Sequence, residues 1–146
     1  MSVSVAKGRS NARKKALQAL YQWHMSENDL VEIETQFHQE QNMEKVDVDY
    51  FHDLLHKVPT EINSLDKLIA KYSERTDEEL DPIEQSILRL SCYEIVKRID
   101  VPYKVVISEA ISLAKTFGSD KSHAFVNSIL DKLAKEFRKV EIKNAK

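Results

Sequence analysis

One cysteine, two glycines and three prolines occur in 146 residues, and each scarcity removes a class of protein. A single cysteine, Cys92, cannot build an internal disulfide framework or a cysteine-cluster metal site. So few glycines and prolines leave little turn chemistry for an all-β fold. No apolar run approaches the about 20 residues that span a bilayer. The opening MSVSVAKGRS lacks the apolar stretch of a secretory signal, so a soluble, cytoplasmic protein is expected. No phosphate-binding loop or nucleotide fingerprint occurs. Acid is missing too, at one end: none precedes Glu27.

That last absence hides behind a net charge of −2. Lys7, Arg9, Arg13, Lys14 and Lys15 give the residues before Glu27 a charge of +5, residues 138–146 carry +3, and residues 27–137 carry −10. A basic arm beside an acidic body suits a chain whose arm meets a polyanion and whose body must not. Basic termini that merely keep a chain in solution have the same composition.

What is present is helical periodicity. Ala12, Ala16, Ala19, Leu20 and Trp23 form an apolar stripe on a first helix over 10–26, with Ser10 as its N-cap and Arg13, Lys14 and Gln18 off the stripe. Leu30, Ile33 and Phe37 mark a second helix over 30–41. A third starts near Asp47 and keeps its period through Tyr72, with a kink or a break expected at Pro59 and a kinked single helix favoured by the unbroken period. Asp81-Pro82, a cap followed by proline at the first helical position, opens a fourth. Pro102 opens a fifth, which ends at Gly118 in the left-handed position that glycine tolerates. Ser119 or Ser122 caps a sixth, which buries Val126, Ile129, Leu130, Leu133 and Phe137. The reading is one all-α domain, a compact bundle of six to seven helices over 10–138. A flexible basic arm at 1–9 precedes it and a frayed basic tail at 139–146 follows.

Three stretches, ARKKALQALYQW, ILRLSCYEIVKRIDVPYKVVISEAISLAKTFG and SHAFVNSILDKL, together resemble the NusB family of bacterial transcription antitermination factors. Their order, spacing and the total length carry the resemblance, which runs from about Arg9 to Leu133. NusB-like modules fused to RNA methyltransferases are far longer and carry a Gly-rich cofactor loop; nothing here corresponds to it. The resemblance implies an all-helical factor without enzymatic activity or cofactor. It implies binding of boxA RNA in nascent transcripts, ribosomal RNA leaders included, together with NusE, a ribosomal small-subunit protein. It further implies assembly with RNA polymerase and other Nus factors into a complex that suppresses premature termination.

Single-stranded RNA needs cations along its phosphates and flat groups against its bases. Lys7, Arg9, Arg13, Lys14 and Lys15 supply the first. Lys121 and Ser122 lie at a helix start that favours phosphate. Phe125 is the candidate for base stacking, although spacing alone also fits a core residue; the resemblance decides for the base. Asn127 offers a donor and an acceptor to a base edge, or a local cap. Lys121 and Ser128 depart from the family pattern, which favours a polar or acidic residue and a glycine there. A basic partner such as NusE suits an acidic surface, for which Glu78, Glu79 and Glu84 are candidates, with Tyr21 and Arg89 beside them. On this reading the two faces are separate, and charge reversal at Glu84 spares the RNA contacts.

Other chemistry is thinly represented. His52 and His56, four apart near Asp53, share a helix face, but neither an HExxH pattern nor a third ligand is evident, and no metal is expected. Cys92 sits within an apolar helix and reads as core. A helical protein-interaction adaptor that never touches RNA is the alternative function, and a homodimer that hides its RNA face is a third.

Overall fold

The computed structural model describes residues 3–75 and 80–144, so Glu78 and Glu79 lie outside the described residues. Eight helices and no strand occur among the described residues, and their contacts divide into two compact units, residues 1–61 and 62–146.

The first unit holds α1 (Val5–Ser26), α2 (Leu30–Glu40) and α3 (Val48–Thr60). Helix α1 starts at Val5 rather than near Ser10, because Ser4 caps it by accepting from the Lys7 N–H at 3.1 Å. Most of the expected flexible arm is therefore helical. Helix α1 ends where Glu27 takes a left-handed conformation, with its N–H donating to the Trp23 carbonyl. Asp29 and Asp47 cap α2 and α3 by accepting from Val31 and Tyr50 N–H groups. Helix α1 packs on α2 and α3, and α2 on α3. Ala12, Ala16, Leu17, Ile33, Phe51, Leu54 and Leu55 are almost completely buried in this unit. Pro59 lies in the last turn of α3, and the chain breaks rather than kinks: Glu61 leaves helical geometry, its N–H shared between the Lys57 and Val58 carbonyls.

The second unit holds α4 (Ile62–Tyr72), α5 (Pro82–Lys97), α6 (Tyr103–Phe117), α7 (Ser122–Phe137) and the short α8 (Lys139–Asn144). Helix α8 occupies the stretch expected to fray. Helix α5 packs against α4, α6 and α7, and is buried nearly all round. Its Asp81 cap accepts from the N–H groups of Ile83 and Glu84, and Pro82 takes the first position as expected. Phe137, expected in the core, is 37% exposed.

Gly118 sits at φ −94° and ψ −176°, extended and not left-handed. Space, not backbone conformation, requires the glycine. A Cβ there would meet the Ala114 carbonyl oxygen at 2.7 Å and the Ser122 Cβ and Oγ at 2.8 Å. Neither Ser119 nor Ser122 caps α7 in the usual way; Lys121 occupies the cap position without a side-chain bond. Ser122 Oγ instead accepts from the Ser119 N–H at 3.1 Å and pairs with Ser119 Oγ, closing the turn.

Arg138, counted by sequence among the basic tail charges, is 4% exposed. Its guanidinium donates to the carbonyls of Ile95, Val101, Glu94 and Arg98 at 2.8–3.1 Å and to Glu141 at 2.6 Å. A helix leaves its last carbonyls unpartnered and partially negative. Arg138 brings charged donors to the end of α5 and the α5–α6 turn, where the Glu94 and Arg98 carbonyls also accept from the N–H groups of Arg98 and Val101.

Arg138→Ala should lower the unfolding free energy by about 3 kcal/mol in urea titration, because buried carbonyls lose charged donors. Arg138→Lys should recover only part of it, since an ammonium lacks the planar fork. Gly118→Ala should cost about 1–3 kcal/mol through overpacking. A loss within about 0.5 kcal/mol for Arg138→Ala would contradict the assignment.

Candidate nucleic-acid interface

Helix α1 sorts its cations by burial. Lys7 and Lys14 are exposed. Lys15 is half-buried and donates from Nζ to Gln41 Oε1 at 2.7 Å. Arg9 lies 4.5 Å from the centre of the Tyr50 ring and pairs with Asp47 at 3.9 Å. Arg13, expected to face solvent with them, is 2% exposed, its guanidinium 5.4 Å from the same ring. The aliphatic stem and delocalised charge of arginine allow that burial, and stacking on an aromatic face offsets lost hydration. Arg13 therefore acts in the packing of α1 on α3, not at the surface.

Around Lys14 and Lys15 a shallow hollow is lined by Asn11, Gln18, Asn42 and Lys45 as well. Asn11 Nδ2 donates to the Lys45 carbonyl at 2.9 Å and ties the α2–α3 loop to α1. Three lysines and three amides around one concavity match the needs of a phosphate chain with accessible base edges. Sequence reading missed Asn42 and Lys45, which reach the hollow only through the docking of the α2–α3 loop, and Asn11, whose place on α1 becomes distinctive only once it holds that loop. Tyr21 is half-buried and lines a separate groove between α1 and α2, beside Met25 and Phe37.

In the second unit, exposed Lys121 at the cap of α7 and half-buried Phe125 on the helix lie one turn apart. Asn127 is exposed two residues further on, round the helix from Phe125. Ser122, expected to meet RNA, is 1% exposed and its hydroxyl is spent on the turn. The Arg75 guanidinium lies 3.8 Å from the centre of the Phe125 ring. The same Arg75 donates from Nη1 to Glu84 at 2.9 Å. Glu84 is 3% exposed, so this carboxylate, expected on an open acidic face, is largely spent on Arg75. Arg89 is likewise closed, in a two-pronged pair with Asp66 at 2.8 Å on both arms. Arg75 thus joins two residues that the sequence assigns to separate faces.

Nucleophilic chemistry finds no support at the cysteine. Burial, with the charges of Asp66 and Glu136 adding, pushes the Cys92 thiol up to about 12. Glu136 accepts hydrogen bonds from Tyr72 and Lys71, which hold its carboxyl below the usual range. Among the described residues one group of three has donor atoms close enough to share a metal ion: Glu34, His52 and His56.

The burial contrast on α1 is testable. Arg13→Ala should destabilise the fold by about 1–3 kcal/mol, while Lys14→Ala should change it by no more than about 0.5 kcal/mol. Parallel chemical denaturation of the two variants checks this. Equal small losses would return Arg13 to the surface set.

Residues 10–135 match the NusB family. A transcription antitermination protein NusB from Pseudomonas savastanoi pv. phaseolicola is 51% identical, with 97% of this chain and 88% of the relative covered. The protein of the same name from Pseudoalteromonas atlantica is 53% identical, with 92% and 96% covered. Among solved structures, T. maritima NusB superposes with a TM-score of 0.76 at 30% identity, covering 93% of this chain and 94% of that one. The NusB chain of a crystal structure of antitermination factors NusB and NusE in complex with double-stranded RNA gives 0.80 at 25%, covering 88% and 97%. A family match over most of the chain, and relatives half identical across nearly all of it, establish that this chain belongs to the NusB family.

Proposed function

We propose that this chain is a transcription antitermination factor that binds boxA RNA in nascent transcripts, ribosomal RNA included, together with NusE. In this reading it helps assemble RNA polymerase and other Nus factors into a complex that resists premature termination. It works in the cytoplasm by binding alone, with no catalytic step. Among the described residues no helix is long and apolar enough to cross a membrane.

The observation that carries the reading is the set of cations left at the surface of α1 and its adjoining loop. Lys7, Lys14 and Lys45 are exposed, and Lys14, Lys15 and Lys45 share the hollow with Asn11, Gln18 and Asn42. Lysines track phosphates as mobile point charges, and the amides read base edges. In the second unit Phe125 offers a base one ring face while Arg75 attends the ring. A cation against the ring and a base on its other face form a three-layer stack, in which each base contact contributes about 1–3 kcal/mol. Glu84 and Arg89 support NusE binding in this reading by holding the α4 and α5 surface in shape. Tyr21 supports it by lining an open groove with an apolar floor. Glu78 and Glu79 remain proposed NusE contacts on sequence grounds. The adaptor alternative lacks a comparable observation.

The experiment is RNA binding to single-stranded boxA, a scrambled strand and a duplex, with and without NusE, across a salt series. The expected result is preference for boxA that NusE strengthens, with log affinity falling by about 0.7 per neutralised phosphate on log salt. Neutralising Lys14 and Lys45 should flatten that slope, and Phe125→Ala should weaken boxA binding by about 1–3 kcal/mol. Because Arg75 links Glu84 to Phe125, Glu84→Lys should weaken both NusE and RNA binding. Equal weak binding to all three RNAs, indifferent to NusE and to the lysine changes, would favour the adaptor.

A further inference from the structure

Helix α3 carries His52 and His56 four residues apart, so both rings stand on one face, with centroids 4.3 Å apart and planes tilted by 34°. Across from them α2 presents Glu34. One of its carboxylate oxygens lies 2.7 Å from His52 Nδ1, and the other lies 2.9 Å from His56 Nε2. The two helices are fixed on either side of this triad. Ile33 and Phe37, which flank Glu34 on α2, are buried, and the Phe37 ring packs on Phe51 of α3 with centroids 5.8 Å apart. The three donors therefore converge on a backbone that packing has already set, and ordering them costs little.

Two imidazoles and one carboxylate are the donor set of zinc and its neighbours. Calcium and magnesium, which take oxygen ligands, do not suit it. The three ligand atoms lie within 4.8 Å of one another. Bonds of about 2.0–2.2 Å hold tetrahedral donors about 3.3–3.5 Å apart. Small side-chain rotations bring the triad to that spacing. Each imidazole presents a lone pair when its proton sits on the other ring nitrogen, Nε2 of His52 and Nδ1 of His56. The side chains are 61% exposed for His52, 26% for His56 and 16% for Glu34, which gives an ion a path in and leaves room for water.

We propose that Glu34, His52 and His56 form a binding site for a divalent transition-metal ion of the zinc class, with water completing its coordination. The ion ties α2 to α3 across 18–22 residues of chain. It stabilises the first unit by an amount that rises with the logarithm of free metal above the dissociation constant, because the unfolded chain does not hold the three donors together.

The test uses the full chain freed of metal by chelation and titrated with zinc chloride alone, by calorimetry and thermal unfolding. Cobalt(II) absorption serves as a report of coordination. His52→Asn and His56→Gln place an amide N–H where Nδ1 and Nε2 stand, so they keep a donor to Glu34 while removing the ligand. The expected result is one ion per chain, a raised unfolding temperature, and visible cobalt bands. Each variant should weaken binding by at least about tenfold, the scale of even indirect changes to metal sites, with its metal-free unfolding temperature unchanged. Glu34→Gln should weaken it similarly. His52→Asn, at the most exposed ligand, gives the readout even where Glu34→Gln disturbs packing. No saturable binding, or an affinity that the variants leave unchanged, would overturn the proposal and leave the triad a hydrogen-bonded clamp.

Discussion

A guanidinium taken out of water must find its hydrogen bonds inside the protein, and Arg138 finds them on the carbonyls that end α5. The second unit is arranged around this requirement. Helix α5 is buried through Ile95, where the carbonyls of Glu94 and Ile95 accept from Arg138 at buried sites, and α6 begins only a few residues later. One side chain from the end of α7 serves Glu94, Ile95, Arg98 and Val101 together. It thereby fixes where α6 starts relative to α5 and how α7 lies against both. The same demand recurs along α5, where Arg89 takes Asp66 and Glu84 takes Arg75. Buried pairs of this kind add modest net stability, but removing one partner is costly, so they enforce a particular arrangement of helices.

Pairing also decides which charges are left for function. The arginines Arg13, Arg89 and Arg138 are buried, whereas Lys7, Lys14, Lys45 and Lys121 are exposed. The division follows from the side chains. A planar, weakly hydrated guanidinium with five donors can be buried against a ring or a row of carbonyls, while a strongly hydrated ammonium stays in water. Arg75 lies between these groups, holding a buried carboxylate and meeting the ring of Phe125. A change at the acidic residue should therefore shift the cation that meets the aromatic one, which a variant at Glu84 would test.

Where local chemistry decides, the sequence was legible. Asp81-Pro82 caps and opens α5 as read, Pro102 precedes α6, and the apolar stripes of α1, α2 and α7 are buried except at Trp23, Leu30 and Phe137. The misreadings share a cause. Gly118 marks a helix end, but for room beside Ala114 and Ser122 that only the folded turn reveals. Nothing in the spacing of Arg13 or Arg138 distinguishes a buried arginine from a solvated one; the Tyr50 ring and the α5 carbonyls that receive them come from distant positions. Ser4 was overlooked because the cations after it suggested a solvated arm, and Pro59 ended a helix whose apolar period runs on. Glu34 meets His52 and His56 across 18 and 22 residues, a separation that no local pattern spans.

The proposed RNA surface depends on the division between buried arginines and exposed lysines, and lysine reactivity tests it most directly. Acetylation of the folded chain, alone and saturated with boxA RNA and NusE, reads the exposure of each lysine by mass spectrometry. Protection on binding should concentrate at Lys7, Lys14, Lys45 and Lys121, with Lys67 and Lys97 of the second unit unchanged. Protection spread evenly over all lysines, or confined to those of α4 and α5, would contradict the assignment of the RNA surface to α1 and the start of α7.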